Sequence, residues 1–119
     1  MKPDLDAFDQ EEFDEYIMGN EELARHILRR FLDDLPVQIA RLAQAVSDGD
    51  AQQVRLAAHA IKGAAASVSG RQIRDASWKL EQQGRDGNLT AAAASLTELW
   101  ASVERARPLM ESFCREDPS

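Results

Sequence analysis

Apolar residues recur at every third or fourth position along most of the chain, and this spacing constrains the fold more than any other feature. The longest series is Leu23, Ile27, Phe31, Leu35, Ile39, Leu42 and Val46. Because an α-helix has about 3.6 residues per turn, such a series forms one apolar face of a helix. Runs with period two, which are typical of half-buried strands, are missing. The sequence therefore predicts an all-α fold.

A short helix is predicted near the N-terminus. It begins at Asp9, with Glu12 in the capping-box position, and Phe8 and Phe13 are placed to form a hydrophobic staple. Gly19 ends this helix. Its acidic side chains are interpreted as a solvated face rather than a metal site: Glu11, Glu12, Asp14 and Glu15.

Four longer helices follow in the sequence. The residues that cap or separate them are Asn20, Asp50, Gly70 and Asn88. The third helix is expected to end at about Ser69, and the fourth near Gln83, before a turn at 85–88. Pro36 is expected to bend or interrupt the second helix, and Pro108 to kink the fifth. Residues 114–119 are expected to fray.

Short turns between long amphipathic helices require neighbouring helices to run in opposite directions. The sequence thus predicts an antiparallel four-helix bundle with the additional short N-terminal helix covering one end. A length of 119 residues suits one domain, spanning residues 1–119.

Composition narrows the classes of partner and compartment. A net charge of -7 argues against nucleic acid, and no apolar run approaches the roughly 20 residues that a membrane-spanning helix needs. The acidic N-terminus lacks the features of an export signal, and Cys114 is the only cysteine. We therefore expect a cytoplasmic protein that does not insert into membranes and that binds other proteins. We also expect it to be a monomer.

The third helix carries one histidine in an unusual setting. Its predicted core side consists of Val54, Ala57, Ala58, Ile61, Ala65 and Val68. At about 100° per residue, His59 points roughly 140° away from that side, towards solvent. Lys62 and Gly63 lie beside it on the following turn, Arg55 lies on the preceding turn, and Ala66 continues the same face. His59 is thus expected to be exposed between two cations and residues with small side chains.

This arrangement suits a phosphoryl carrier. An exposed imidazole is largely neutral near pH 7, so one ring nitrogen keeps a lone pair for attack on phosphorus. Lys62 can offset the charge of the phosphorylated ring. Gly63 costs a helix interior about 1 kcal/mol relative to alanine, which close approach of a partner would explain. The alternative is that Gly63 permits tight packing inside the bundle.

The segment from His59 to Val68 resembles the histidine-phosphotransfer (HPt) family, whose motif reads approximately H-x-L-K-G followed by small residues, a hydrophobic residue and Gly. The matching residues are His59-Ala60-Ile61-Lys62-Gly63 and then Ala64-Ala65-Ala66-Ser67-Val68. The resemblance extends through 31–36 and 80–87. One departure is Ser69, which stands where the family usually has Gly, with Gly70 one residue late.

The resemblance implies a phosphorelay function. His59 would accept a phosphoryl group from the aspartate of a response-regulator receiver domain and pass it on, in a pathway that includes a hybrid sensor histidine kinase. Mg²⁺ would be bound by the receiver domain, and this chain would need no cofactor or metal of its own and would not be an autokinase. Arg55, Ala66 and Gln82 are the expected docking residues, and either Gln82 or Glu81 is expected to touch the imidazole.

Three other interpretations are weaker. A sensor-kinase helical region would need an ATP-binding domain, and its histidine motif differs from His59-Ala60-Ile61-Lys62. A zinc enzyme lacks ligands, because the chain has only two histidines and one cysteine. A helical bundle that only binds a partner, without chemistry at His59, is the main alternative. The second histidine, His26, has no comparable neighbours and is interpreted as structural or solvated.

Overall fold

The computed structural model describes residues 5–115, which form five α-helices and, within that range, no strand. The helices are α1 (Gln10–Tyr16), α2 (Glu21–Ser47), α3 (Ala51–Ser67), α4 (Arg71–Asp86) and α5 (Leu89–Arg115). None of these helices is both long enough and apolar enough to cross a membrane.

The four long helices form a closed antiparallel bundle. α3 packs between α2 and α4, and α5 packs between α4 and α2. The turns that connect consecutive long helices contain two or three residues, so each helix returns alongside the previous one. Fully buried side chains from all four helices form the core, including Leu35, Ile39, Ile61, Leu80 and Leu99. The predicted four-helix bundle is therefore confirmed.

Helix α1 covers one end of the bundle through aromatic packing. The rings of Phe8 and Phe13 lie 5.9 Å apart, so the predicted hydrophobic staple forms. Phe113, near the end of α5, packs against both rings with centroids 6.0 and 5.9 Å away. These edge and tilted geometries are favourable for aromatic pairs and fix α1 to the end of α5.

The predicted N-caps form, whereas the capping box of α1 forms only in part. Asp9 accepts a hydrogen bond from the Glu12 backbone N–H at 3.0 Å. The Glu12 carboxylate does not return to Asp9. It accepts hydrogen bonds from Ser69 Oγ and Arg71, each at 2.8 Å. Arg71 also lies 2.7 Å from Asp9. Glu12 is half exposed, as expected of a solvated face, and its carboxylate also joins α1 to Ser69 and to the start of α4.

Both prolines lie inside continuous helices, so Pro36 does not interrupt α2 and Pro108 does not interrupt α5. Each proline lies on an exposed face. The carbonyl group that loses its helical partner there can be hydrated, which lets tertiary packing on the opposite face maintain the helix.

Leu23, predicted to lie on the apolar face of α2, is 43% exposed.

The C-terminal ends of α4 and α5 lie beyond their predicted positions. α4 continues to Asp86 and ends at Gly87, whose φ of 72° is a left-handed conformation that glycine adopts easily. α5 continues through Arg115, and Cys114 is buried against the core. The prediction that the chain frays from residue 114 is therefore wrong for Cys114 and Arg115. Burial raises the pKa of the Cys114 thiol. Residues 116–119 lie outside the described range.

Ser69 ends α3 in a left-handed conformation, with φ of 56°. The Gly70 N–H donates to the Ala65 carbonyl at 2.9 Å, and the Ser69 N–H donates to the Ala66 carbonyl at 3.2 Å. These two bonds form a Schellman motif, in which the left-handed position is usually occupied by glycine. The departure noted at Ser69 thus lies at the one position of this turn where the backbone favours glycine.

Gly84 brings α4 into direct backbone contact with α3. A Cβ atom at Gly84 would lie 2.7 Å from the Arg55 backbone nitrogen and 3.0 Å from the Ala51 carbonyl oxygen. Distances this short to backbone atoms leave no room for a side chain. The sequence reading did not identify this contact, because a glycine near a helix end more often marks a turn.

Candidate functional site

His59 lies midway along α3, with 65% of its side chain exposed. Gly63 and Ala66 are exposed on the same side of the helix. A methyl group added at Gly63 would meet no described heavy atom within 4 Å beyond its local backbone. The predicted orientation of this face is therefore confirmed, and packing does not explain Gly63.

Glu81 of α4 is the side chain that contacts the imidazole. Its Oε1 atom lies 2.8 Å from Nδ1 of His59, although only 4% of the Glu81 side chain is exposed. An ionised carboxylate can only accept hydrogen bonds, so Nδ1 must carry the proton that it donates. In the neutral ring, the lone pair then lies on Nε2.

The charge state of Glu81 supports this tautomer. Burial alone would raise the pKa of the Glu81 carboxyl, but hydrogen bonds from Lys62 and His59 outweigh burial and lower it. Glu81 is thus ionised at neutral pH, and it holds the imidazole from the side of α4.

Lys62 binds the same carboxylate oxygen. Its Nζ atom lies 3.0 Å from Glu81 Oε1 and 4.4 Å from the centroid of the Trp78 ring. The sequence placed Lys62 beside the imidazole on an exposed face, but only 23% of its side chain is exposed. Lys62 extends towards α4, where Glu81 and Trp78 hold its ammonium group.

One arginine lies beside Glu81, and another lies at the neighbouring contact between α3 and α4. Arg85 lies one turn further along α4, with its guanidinium 3.7 Å from Glu81 Oε2. Arg55, predicted as a docking residue, is half-buried on α3, and its backbone contacts Gly84. The backbone contact between α3 and α4 therefore lies one turn away from the pair of His59 and Glu81.

The structure resolves the predicted choice between Glu81 and Gln82 in favour of Glu81. Gln82 is half-buried, and its buried Nε2 atom has no hydrogen-bond partner among the described residues. Ala66 is exposed, and the docking roles of Gln82 and Ala66 stay predictions.

Sequence analysis missed several residues near the histidine. Trp78, Arg85 and Leu56 lie on or beside its face, and Trp78 and Leu56 are large apolar side chains that are 47% and 43% exposed. Leu56 could have been identified, because it precedes His59 by about one helical turn. Trp78 and Arg85 depend on the register of α4 against α3, which no local pattern contains.

The second histidine, His26, is exposed on α2. Within residues 5–115, His, Cys, Asp and Glu side chains do not gather in groups of three that could hold a metal ion.

One family model and two solved structures are similar to this chain. The model of the Hpt domain family matches residues 26–108. The fold is similar to that of histidine-containing phosphotransfer protein B from Pseudomonas aeruginosa PAO1, with a TM-score of 0.87, 22% identity, and coverage of 93% of this chain and 96% of that one. It is also similar to the HPT domain of a sensor hybrid histidine kinase from Shewanella, with a TM-score of 0.81, 14% identity, and coverage of 98% and 100%. No curated protein sequence matches significantly.

Proposed function

The chain belongs to the Hpt domain family, whose members carry out histidine phosphotransfer in phosphorelays with receiver domains and kinases; on this basis we propose that His59 is the phosphoacceptor and Nε2 its attacking atom. The observation that carries the proposal is the hydrogen bond of 2.8 Å between His59 Nδ1 and the buried, ionised Glu81. This bond occupies the inner nitrogen and leaves the outer one with a lone pair.

The transfer step needs little rearrangement of this chain. Nε2 attacks the phosphorus of a receiver's phospho-aspartate, a P–N bond forms, and the P–O bond to the aspartate breaks, which returns a carboxylate to the receiver. The ring keeps its proton on Nδ1 and becomes a positively charged phospho-imidazolium, which Glu81 stabilises through the same hydrogen bond. Return transfer reverses these bond changes.

The partner is proposed to supply the metal and most of the catalysis. Mg²⁺ bound by the receiver offsets the charge on the phosphoryl oxygens, whereas this chain supplies a positioned nucleophile and a nearby cation, Lys62. The exposed face around His59 has small residues at Gly63 and Ala66, which leaves space for the receiver's active-site loops. A hybrid sensor histidine kinase is the proposed upstream source of the phosphoryl group.

The two histidines allow a matched test. The chain is incubated with phosphorylated receiver domains, and acid-labile, alkali-stable phosphate on the chain is measured. We expect the wild-type protein and His26→Gln to become labelled, and His59→Gln to fold but remain unlabelled. Label on folded His59→Gln would refute the assignment. A wild-type protein that binds receivers without accepting phosphate would instead favour the bundle that only binds a partner.

A further inference from the structure

Trp78 is an exposed aromatic residue that the phosphoryl-transfer step described above does not use. It lies on α4, one turn before Glu81, and 47% of its surface is exposed. Its ring faces the ammonium group of Lys62 at 4.4 Å from the centroid. An indole ring is the best of the aromatic faces for binding a cation.

Lys62 is therefore restrained from two directions. Glu81 Oε1 lies 3.0 Å from its Nζ atom, and the Trp78 ring covers another side of the ammonium group. A lysine side chain has four rotatable bonds and extensive conformational freedom when it is exposed. These two contacts keep the ammonium group next to the Glu81 oxygen that also binds His59 Nδ1.

The two contacts respond differently when a phosphoryl group arrives. The anionic group at His59 competes with Glu81 for the ammonium group of Lys62, because both are strong acceptors for a cation. The Trp78 ring carries no net charge and does not compete in this way. It can remain in contact with the lysine stem and ammonium group while Nζ turns from Glu81 towards the phosphoryl oxygens.

We propose that Trp78 is a positioning residue for phosphoryl transfer: its ring confines Lys62 to the His59 side of the groove between α3 and α4, so that the ammonium group reaches the incoming phosphoryl group. This inference rests on the proposed function of His59. It assigns Trp78 a role through Lys62 and no contact with phosphate.

The test uses a small phosphodonor, so that contact with a receiver cannot contribute. The full chain is incubated with phosphoramidate, and the rate at which phosphohistidine forms is followed by ³¹P NMR. Trp78→Ala should slow this rate by about two- to fivefold, as expected from the strength of a cation–π contact at an exposed site. Trp78→Phe, which keeps an aromatic face, should recover most of the rate. Trp100→Ala is the matched control, because Trp100 is also exposed, at 41%, but lies on α5.

A double-mutant cycle separates this role from others. In a Lys62→Ala background, Trp78→Ala should cause no further slowing, since the side chain that it positions is gone. An equal slowing in both backgrounds would overturn the inference, as would an unchanged rate in the single variant. Slower transfer from a receiver with a normal phosphoramidate rate would identify Trp78 as a docking residue instead.

Two controls keep the inference distinct from the proposed function. Thermal melts of each variant establish that the bundle is folded, and Trp78→Leu, which keeps apolar bulk without an aromatic face, replaces Trp78→Ala if that variant is unstable. Failure of the wild-type chain to form phosphohistidine at His59 would overturn the proposed function and this inference together. Phosphohistidine formed at the same rate in wild-type protein and both Trp78 variants would overturn only the role of Trp78.

Discussion

Nδ1 of His59 and Oε1 of Glu81 lie 2.8 Å apart, which joins an exposed ring on α3 to a buried carboxylate on α4. The same oxygen forms an ion pair with the ammonium group of Lys62, at 3.0 Å. An exposed side chain normally samples several rotamers, but this hydrogen bond favours one orientation and one tautomer of the imidazole.

Glu81→Gln should slow phosphoryl transfer by about three- to tenfold, because the neutral amide can still bond to the ring but loses the charge assistance, a difference of about 0.6 to 1.4 kcal/mol. A neutral amide can donate as well as accept, so it no longer requires the proton to be on Nδ1. ¹⁵N NMR of the imidazole should show mainly the Nδ1–H tautomer in the wild-type protein and a mixture in the variant. Identical tautomer populations in the two proteins would contradict the role given to Glu81.

The same substitution should change how stability depends on pH. The pKa of Glu81 is lowered in the folded protein, so its ionised form stabilises the fold above the ordinary value of 4.5. This contribution should disappear as pH falls through the lower, folded-state pKa. The difference in melting temperature between wild-type protein and Glu81→Gln should therefore be largest near neutral pH and shrink below about pH 4.5.

Glu98→Gln is the control for this measurement. Glu98 is exposed and pairs with Lys79 across the groove between α4 and α5, at 3.2 Å. Surface pairs of this kind contribute little to stability, so this variant should melt close to the wild-type protein throughout. A difference for Glu81→Gln that persists unchanged into acid would show that lost packing, rather than lost charge, destabilises that variant.

Two helical glycines should respond in opposite ways to alanine. Gly63→Ala should stabilise the bundle by about 0.4 to 1 kcal/mol, because the added methyl group meets open space and alanine favours helix. Gly84→Ala should destabilise it by about 1 to 3 kcal/mol or more, since the Cβ atom would collide with the Arg55 backbone. Urea denaturation of the two variants provides the comparison. Destabilisation by Gly63→Ala would mean that this position packs inside the bundle.

A larger side chain at Gly63 should slow phosphoryl transfer without preventing folding. Gly63→Gln is compatible with a helix, but its side chain would stand one turn after His59, where a receiver must approach. We expect a melting temperature near that of the wild-type protein and a rate of receiver-to-chain transfer lower by at least tenfold. Transfer at the wild-type rate in a folded variant would refute the steric role of Gly63.

Substitutions at Ser69 should separate the cost of its left-handed backbone from the contribution of its hydrogen bond to Glu12. Ser69→Ala keeps the left-handed backbone and loses the bond to Glu12, so it should destabilise the protein by about 1 kcal/mol. Ser69→Gly also loses that bond but relieves a left-handed penalty of roughly 1 kcal/mol, so it should remain close to the wild-type stability. Chemical denaturation should rank glycine above alanine. The reverse order would mean that this backbone position is not strained.

Sequence analysis succeeded where the information was local. The N-cap bonds of Asp9, Asn20 and Asp50 form as predicted, because each depends on residues only three positions apart. The exposure of His59 also follows from the geometry of a single helix. Pro36 shows the limit of local reasoning, since packing on the opposite face of α2 maintains a helix that proline alone would interrupt.

Features that depend on two helices at once could not be predicted. The choice between Glu81 and Gln82 is a difference of one residue, or about 100° of rotation, on α4. That rotation depends on how α4 packs against α3, and therefore on the contact between Gly84 and Arg55. The contact of Lys62 with Trp78 depends on the same packing.

The contact at Gly84 has a consequence for protein design. The pair of His59 and Glu81 should not be transferred to another bundle as two side chains alone, because its hydrogen bond of 2.8 Å forms here beside a place where the backbones of α3 and α4 are in contact. A designer would first need a glycine three residues after the glutamate, facing the backbone one turn before the histidine. With any larger residue there, the helices would separate, water would solvate the carboxylate, and the imidazole would lose the partner that fixes its tautomer.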